Sequence, residues 1–217
     1  MRDAYVESLN ELSQDMMQLA QVVETTIANT WTALESLDHK LASDIYHGNG
    51  DINTRVRECM KKDLTISLMQ TPVATDWRHL MATQKILYDI ERITNNCADI
   101  CHYIFHLNKE GGPVAPPSGL QEMYQVMASM VVDVLRLYNE GGIEDIDDVD
   151  LIRDKDDIVD MAFTKSIEEI SGKMVKEPNH VRQYISYVLI VKYIERMADH
   201  ASNITDWILY RSNNTLK

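Results

Sequence analysis

Apolar residues return along this chain at steps of three and four almost from end to end. Leu9, Leu12, Met16, Leu19, Val23, Ile27, Trp31 and Leu34 form one such stripe. It is the signature of a long amphipathic helix whose apolar face is buried. A second helix is expected to start near Asp38, a side chain suited to capping backbone N–H groups, and to run to about Gln70. Gly48-Asn49-Gly50 predicts a kink or local opening inside it. Pro72 predicts the first turn of a third helix. Its buried face is marked by Leu80, Ile86, Leu87, Ile90, Ile93, Cys97, Ile100 and Ile104. Residues 108–119 hold three of the five prolines and read as a linker. Beyond them Met123, Met127, Met130, Val134 and Tyr138 mark a fourth helix. A fifth is expected over roughly 144–175, and Pro178 opens a sixth that ends near Arg211.

The second half repeats the first. Tyr88-Asp89-Ile90-Glu91-Arg92-Ile93 aligns with Lys192-Tyr193-Ile194-Glu195-Arg196-Met197 at an offset of 104. At an offset of 107, Ala20, Val23, Ile27 and Trp31 fall on Met127, Met130, Val134 and Tyr138, and Asn49 to Asn53 falls on Asp156 to Asp160. A three-residue insertion or deletion reconciles the two offsets. Repeated periodic units predict repeated architecture. The expected fold is all-α, two tandem three-helix bundles related by internal duplication: residues 1–108, a linker at 109–118, and residues 119–217.

Composition narrows the functional classes. Apolar residues make up 45% of the chain, enough for a packed core, and twelve methionines against two phenylalanines predict one filled by flexible aliphatic side chains. The net charge of −13 repels nucleic-acid backbones and anionic lipid headgroups. No hydrophobic signal core follows Met1, and the longest strongly apolar run, Tyr187 to Val191, falls far short of the roughly 20 residues of a membrane span. Three cysteines without a disulfide-like framework fit a reducing compartment. The expectation is a cytoplasmic protein with no nucleic-acid partner and no direct membrane insertion.

Negative charge gathers between Asn139 and Asp160, where ten acids face only Arg153 and Lys155, a local charge of −8. Such a run is ordinarily a solvated helix start, where acids also complement the helix dipole. Two pairs are sharper. Asp156 and Asp160 are four apart, as are Glu195 and Asp199, so each pair shares one helix face. If the fifth and sixth helices are antiparallel neighbours, the pairs converge into a carboxylate set suited to Mg²⁺, Mn²⁺, Zn²⁺ or iron. The competing reading has Lys192, Arg196 and Arg153 neutralising them. In the first half the same positions are Asn49, Asn53, Glu91 and Asn95, three of them uncharged, so any cation is expected in the second half. Cys97 and Cys101 are half of a zinc-like pattern, or simply small core hydrophobes. Glu177-Pro-Asn-His180 is the one Glu-x-x-His match, where a diiron bundle needs two; Asp76/His79 and Asp99/His102 have related spacing on a single helix. No phosphate loop, nucleophile elbow or His-centred triad pattern is present.

At Ile90-Glu91-Arg92-Ile93 and at Ile194-Glu195-Arg196-Met197-Ala198-Asp199, the chain resembles the PhoU family of phosphate-signalling proteins, which carries a Leu-Glu-Arg-Ile-Gly-Asp-like motif in each half. Gln70-Thr-Pro-Val-Ala-Thr-Asp76-Trp-Arg78 is similar to that family's first-repeat segment, and Asp156-Asp-Ile-Val-Asp160 to its Asp-x-x-Val-Asp element. The resemblance spans essentially the whole chain. It implies two three-helix bundles, often dimeric, in a cytoplasmic negative regulator of phosphate uptake and starvation signalling, not an enzyme. Such a protein would connect the phosphate transporter's ATPase subunit with a sensor histidine kinase as an adaptor, and is expected to be a homodimer. Metal motifs of the family map onto Asp156, Asp160, Glu195 and Asp199, which implies a divalent or trivalent ion (iron, zinc, magnesium or manganese). Glu91 matches as well, whereas Asn49, Asn53 and Asn95 depart from the pattern, and Thr94 and Ala198 replace the usual glycine. The alternatives are a carboxylate-bridged metal-dependent enzyme and a purely structural helical scaffold.

Overall fold

The computed structural model describes residues 2–69, 74–107, 112–141 and 146–213. Six long helices account for nearly all of them: α1 (Arg2–Ser36), α2 (His39–Met69), α3 (Ala74–Leu107), α4 (Leu120–Asn139), α5 (Ile146–Lys176) and α6 (Val181–Asn213). A single 3₁₀ turn, Pro178–His180, leads into α6. The described residues contain no strand, and the all-α duplicated fold expected from periodicity is the one observed. None of these helices is long and apolar enough to cross a membrane. Pro72, part of the linker and the acids Glu144 and Asp145 lie outside the described residues.

Local chemistry sets the first boundary. Leu37 turns into the left-handed region (φ 51), and the Asp38 N–H reaches back to the Ala33 carbonyl at 3.0 Å, closing α1. Asp38 Oδ1 then accepts the Lys40 and Leu41 N–H groups at 2.9 and 3.0 Å, the cap anticipated from sequence. The interruption expected at Gly48-Asn49-Gly50 does not occur; α2 runs through it unbroken. Packing overrides propensity, because Ala42, Ile45, Ile52 and Val56 on either side seat against the core. No heavy atom lies within 4 Å of where a Cβ would sit on Gly50, so the exposed glycine only weakens the helix. Gly50→Ala is therefore expected to raise stability by about 0.5–1 kcal/mol, read as a shift in the chemical-denaturation midpoint.

Two layers hold the halves together. In the first half Leu12, Met16, Leu19, Val23 and Ile27 of α1 share a core with Ile86, Ile90, Ile93 and Ile100 of α3; of the predicted stripe, Leu9 and Trp31 are half-buried. The most extensive helix pairing, α3 with α6, joins the repeats, and α1 packs on α4 beside it. Polar contacts tie α4 to both α1 and α3. The Tyr124 hydroxyl donates to the Ile27 carbonyl at 2.8 Å, and the Thr83 and Tyr138 hydroxyls meet at 2.9 Å. The described end of the linker, at Pro116 and Ser118, is strapped to α5. Ser118 bonds Glu169 through both its N–H (2.9 Å) and its hydroxyl, and Lys173 donates to the Pro116 carbonyl at 3.2 Å.

Candidate functional site

α5 and α6 are joined by one short turn and pack against each other, so their facing carboxylates share a seam. Asp156 and Asp160 stand one turn apart on α5. Burial pushes the Asp156 carboxyl above its ordinary range, and the charges of Asp160 on its own helix and Asp199 across the seam push it further. Asp160 is raised in the same way, by burial first and then by Glu195, with Lys192 opposing. Each aspartate of α5 therefore feels the charge of an acid of α6 across the seam. Like charges gathered in this way call for a positive counterpart.

Part of that counterpart is built in. Lys192 Nζ donates to both carboxylate oxygens of Glu195 at 2.7 Å. Arg153 turns elsewhere, to Asp150 and Asp206 at 3.9 Å each. Lys192 also opposes the rise of Asp160, and the Ser202 hydroxyl of α6 favours the ionised Asp156 carboxylate, so the seam is compensated in part. Among the described residues, no three His, Cys, Asp or Glu side chains are drawn together closely enough to hold a metal ion. The donor set is right in kind for a hard cation, oxygen-rich and anionic, and open in geometry.

The first repeat closes the same seam differently. Asn49 and Asn53 of α2 both donate through Nδ2 to Asn95 Oδ1 on α3, at 2.7 and 2.9 Å. Three amides thus clasp two helices with neutral hydrogen bonds where the second repeat sets carboxylates against each other. The fourth position, Glu91, is met by Arg57 at 3.5 Å. The substitutions Asn49, Asn53 and Asn95 change the chemistry of the seam while preserving its place in the fold.

Of the weaker candidates, the two cysteines resolve into core. Cys97 and Cys101 are buried, and burial pushes both thiols up to about 12 against the opposing Thr30 hydroxyl. His79 is pushed down to about 4 by burial and by Arg211. Glu177 accepts the Tyr184 hydroxyl at 2.7 Å. Burial leads in raising the Asp99 carboxyl.

Two groups were missed. Asp63 on α2 is 3% exposed, and burial lifts its carboxyl to about 7. Asp89 on α3 pairs with His200 on α6 at 2.8 Å across the interface between repeats. Asp63 had a readable signal, since it falls in the apolar register Val56, Cys59, Ile66. The Asp89–His200 pair had none, because 111 residues separate its partners.

Comparison with known proteins places these features in a family. The family model described as PhoU domain matches residues 16–104 and again residues 120–208. The chain is 27% identical over 210 residues to the phosphate-specific transport system accessory protein PhoU homolog of Clostridium acetobutylicum, covering 96% of this chain and 94% of that one. It is 25% identical to the homolog of the same description from Streptococcus pneumoniae, covering 100% and 98%. Among solved structures, the phosphate transport system regulatory protein PhoU from Streptococcus pneumoniae superposes with a TM-score of 0.87 at 23% identity, covering 98% of this chain and 99% of that one. PhoU from Pseudomonas aeruginosa gives 0.89 at 21%, covering 97% and 100%.

Proposed function

The chain belongs to the PhoU family, and from that premise we propose that it is a negative regulator of phosphate uptake and phosphate-starvation signalling that acts by binding partners rather than by catalysis. The observation that carries this reading is a PhoU domain matched twice, along a chain whose relatives are phosphate-specific transport system accessory proteins. Its partners in this reading are the transporter's ATPase subunit and a sensor histidine kinase, which it links as a cytoplasmic homodimer. The chemistry of the side chains favours binding over turnover. The core thiols are held protonated well above neutral pH, and they lie out of reach of any substrate.

The acidic seam gives this regulator a point of control. Asp156, Asp160, Glu195 and Asp199 would hold a divalent or trivalent metal: iron, zinc, magnesium or manganese. Such an ion supplies positive charge that cancels like-charge repulsion and ties α5 to α6. The repulsion that Asp156 feels from Asp199 and Asp160 from Glu195 supports the assignment, and Lys192 already neutralises Glu195 in part. The three aspartates therefore carry the larger share of the attraction.

Deleting this chain in its host is expected to release phosphate uptake from repression in phosphate-rich medium; unchanged uptake rejects the reading. For the seam, Asp160→Asn combined with Asp199→Asn is expected to abolish metal binding measured by calorimetry and by metal analysis of the purified protein. Intact affinity in that variant removes the assignment and leaves regulation standing.

A further inference from the structure

We propose that the outward face of α5 is a docking surface for a basic amphipathic helix of a partner protein, an inference that rests on the partner-binding reading above. Leu151, Ile158 and Met161 recur at steps of seven and three along that face, which places them on a single ridge of the helix. They are 52%, 47% and 73% exposed, although each has the apolar bulk of a core side chain. Asp154 and Asp157 line the same ridge, with Asp150 beside them holding Arg153 at 3.9 Å, within a stretch whose local charge is −8. An apolar ridge edged by one sign of charge is half of a helix-to-helix contact.

The duplication supplies an internal control. At the offset of 107, Leu151, Ile158 and Met161 correspond to Asp44, Asp51 and Thr54 of α2, all exposed. The flanking acids Asp150, Asp154 and Asp157 correspond to Ser43, His47 and Gly50. The fold needs neither the apolar ridge nor its acidic border, because the equivalent helix is built without them. Exposed Leu, Ile and Met cost solubility without adding to the core, and the second repeat carries all three on one line.

Charge selects the occupant. The face of a second copy would bring the same acids against these, and an anionic bilayer repels them equally. A helix with leucine-like residues on one side and lysine or arginine along its borders satisfies both parts of the surface. The apolar ridge fixes register, and the acids set on-rate and specificity.

The test uses the full chain and a labelled helical peptide of leucine and lysine with a continuous apolar face. The peptide is expected to bind, and to lose about tenfold or more in affinity to Leu151→Ser with Ile158→Ser and, separately, to Asp154→Asn with Asp157→Asn. Asp44→Asn with Asp51→Asn, on the matching face of α2, is expected to leave binding unchanged. Three results overturn the proposal: equal binding by the Leu151/Ile158 variant, equal binding of a scrambled peptide without an apolar face, and a wild-type dimer in sedimentation that the Leu151/Ile158 variant dissolves. The last would assign the face to a second copy. In cells, the Leu151→Ser/Ile158→Ser chain is expected not to restore repression to a deletion strain that the wild type rescues. Full rescue by that variant removes the docking face alone, whereas a deletion without effect on uptake removes the regulatory reading itself.

Discussion

Asp63→Asn is expected to stabilise the fold by about 2 kcal/mol at pH 8 and by almost nothing at pH 4. Asp63 stands on the buried side of α2, in line with Val56, Cys59 and Ile66, and its Oδ1 has no hydrogen-bond partner. Burial alone pushes its carboxyl to about 7. The folded chain therefore keeps this proton until near neutrality, whereas the unfolded chain releases it near the ordinary carboxylate value of about 4. The native state binds more protons across that window, so stability falls as pH rises from about 4 to about 7 and is level above it. A shift of about three units is worth up to ~4 kcal/mol, and a buried amide keeps part of the desolvation cost, which sets the expected gain near half of that. The charge formed at high pH is also felt by Tyr5 on α1 and Tyr138 on α4, whose hydroxyls are raised first by burial. Urea denaturation of both proteins at the two pH values decides the matter. Equal midpoints at pH 8 would mean that the ionised carboxylate is satisfied in solution.

Legibility followed from range. Contacts that recur every three or four residues were readable, so the stripes of α1 and α3 and the cap at Asp38 were found where periodicity placed them. The duplication carried the reading further than local pattern could. By aligning Asn49 and Asn53 with Asp156 and Asp160, it placed both seams at equivalent points, and the amide clasp on Asn95 occupies its expected place. Three things escaped. The glycines of α2 argued for a break because propensity is a local term, whereas the packing of Ile45, Ile52 and Val56 is not. Asp63 was passed over because an acid beside Lys61 and Lys62 looks like solvated surface, even though its register is apolar. The Asp89–His200 pair lay out of reach because 111 residues separate its partners, beyond any local pattern.

The pairing of Asp89 with His200 leads to the second large expectation: His200→Ala lowers stability by about 3 kcal/mol. The two side chains meet at 2.8 Å, one from each repeat, with Asp89 only 5% exposed. Removing the imidazole leaves a buried carboxylate without this partner, and that desolvation, more than the lost bond, sets the cost. The same logic predicts recovery. Asp89→Leu added to His200→Leu removes both polar groups together and is expected to return most of the stability, because nothing charged is left behind. The pair sits in the interface that joins the halves, so its loss is expected to reach beyond local packing. With α3 and α6 less firmly bound, the repeats gain freedom to unfold separately, and the denaturation curve of His200→Ala should broaden or split where the wild type shows one transition. A loss below about 1 kcal/mol with a single sharp transition would give the pair the weight of a surface ion pair, leaving apolar packing to hold the two copies together.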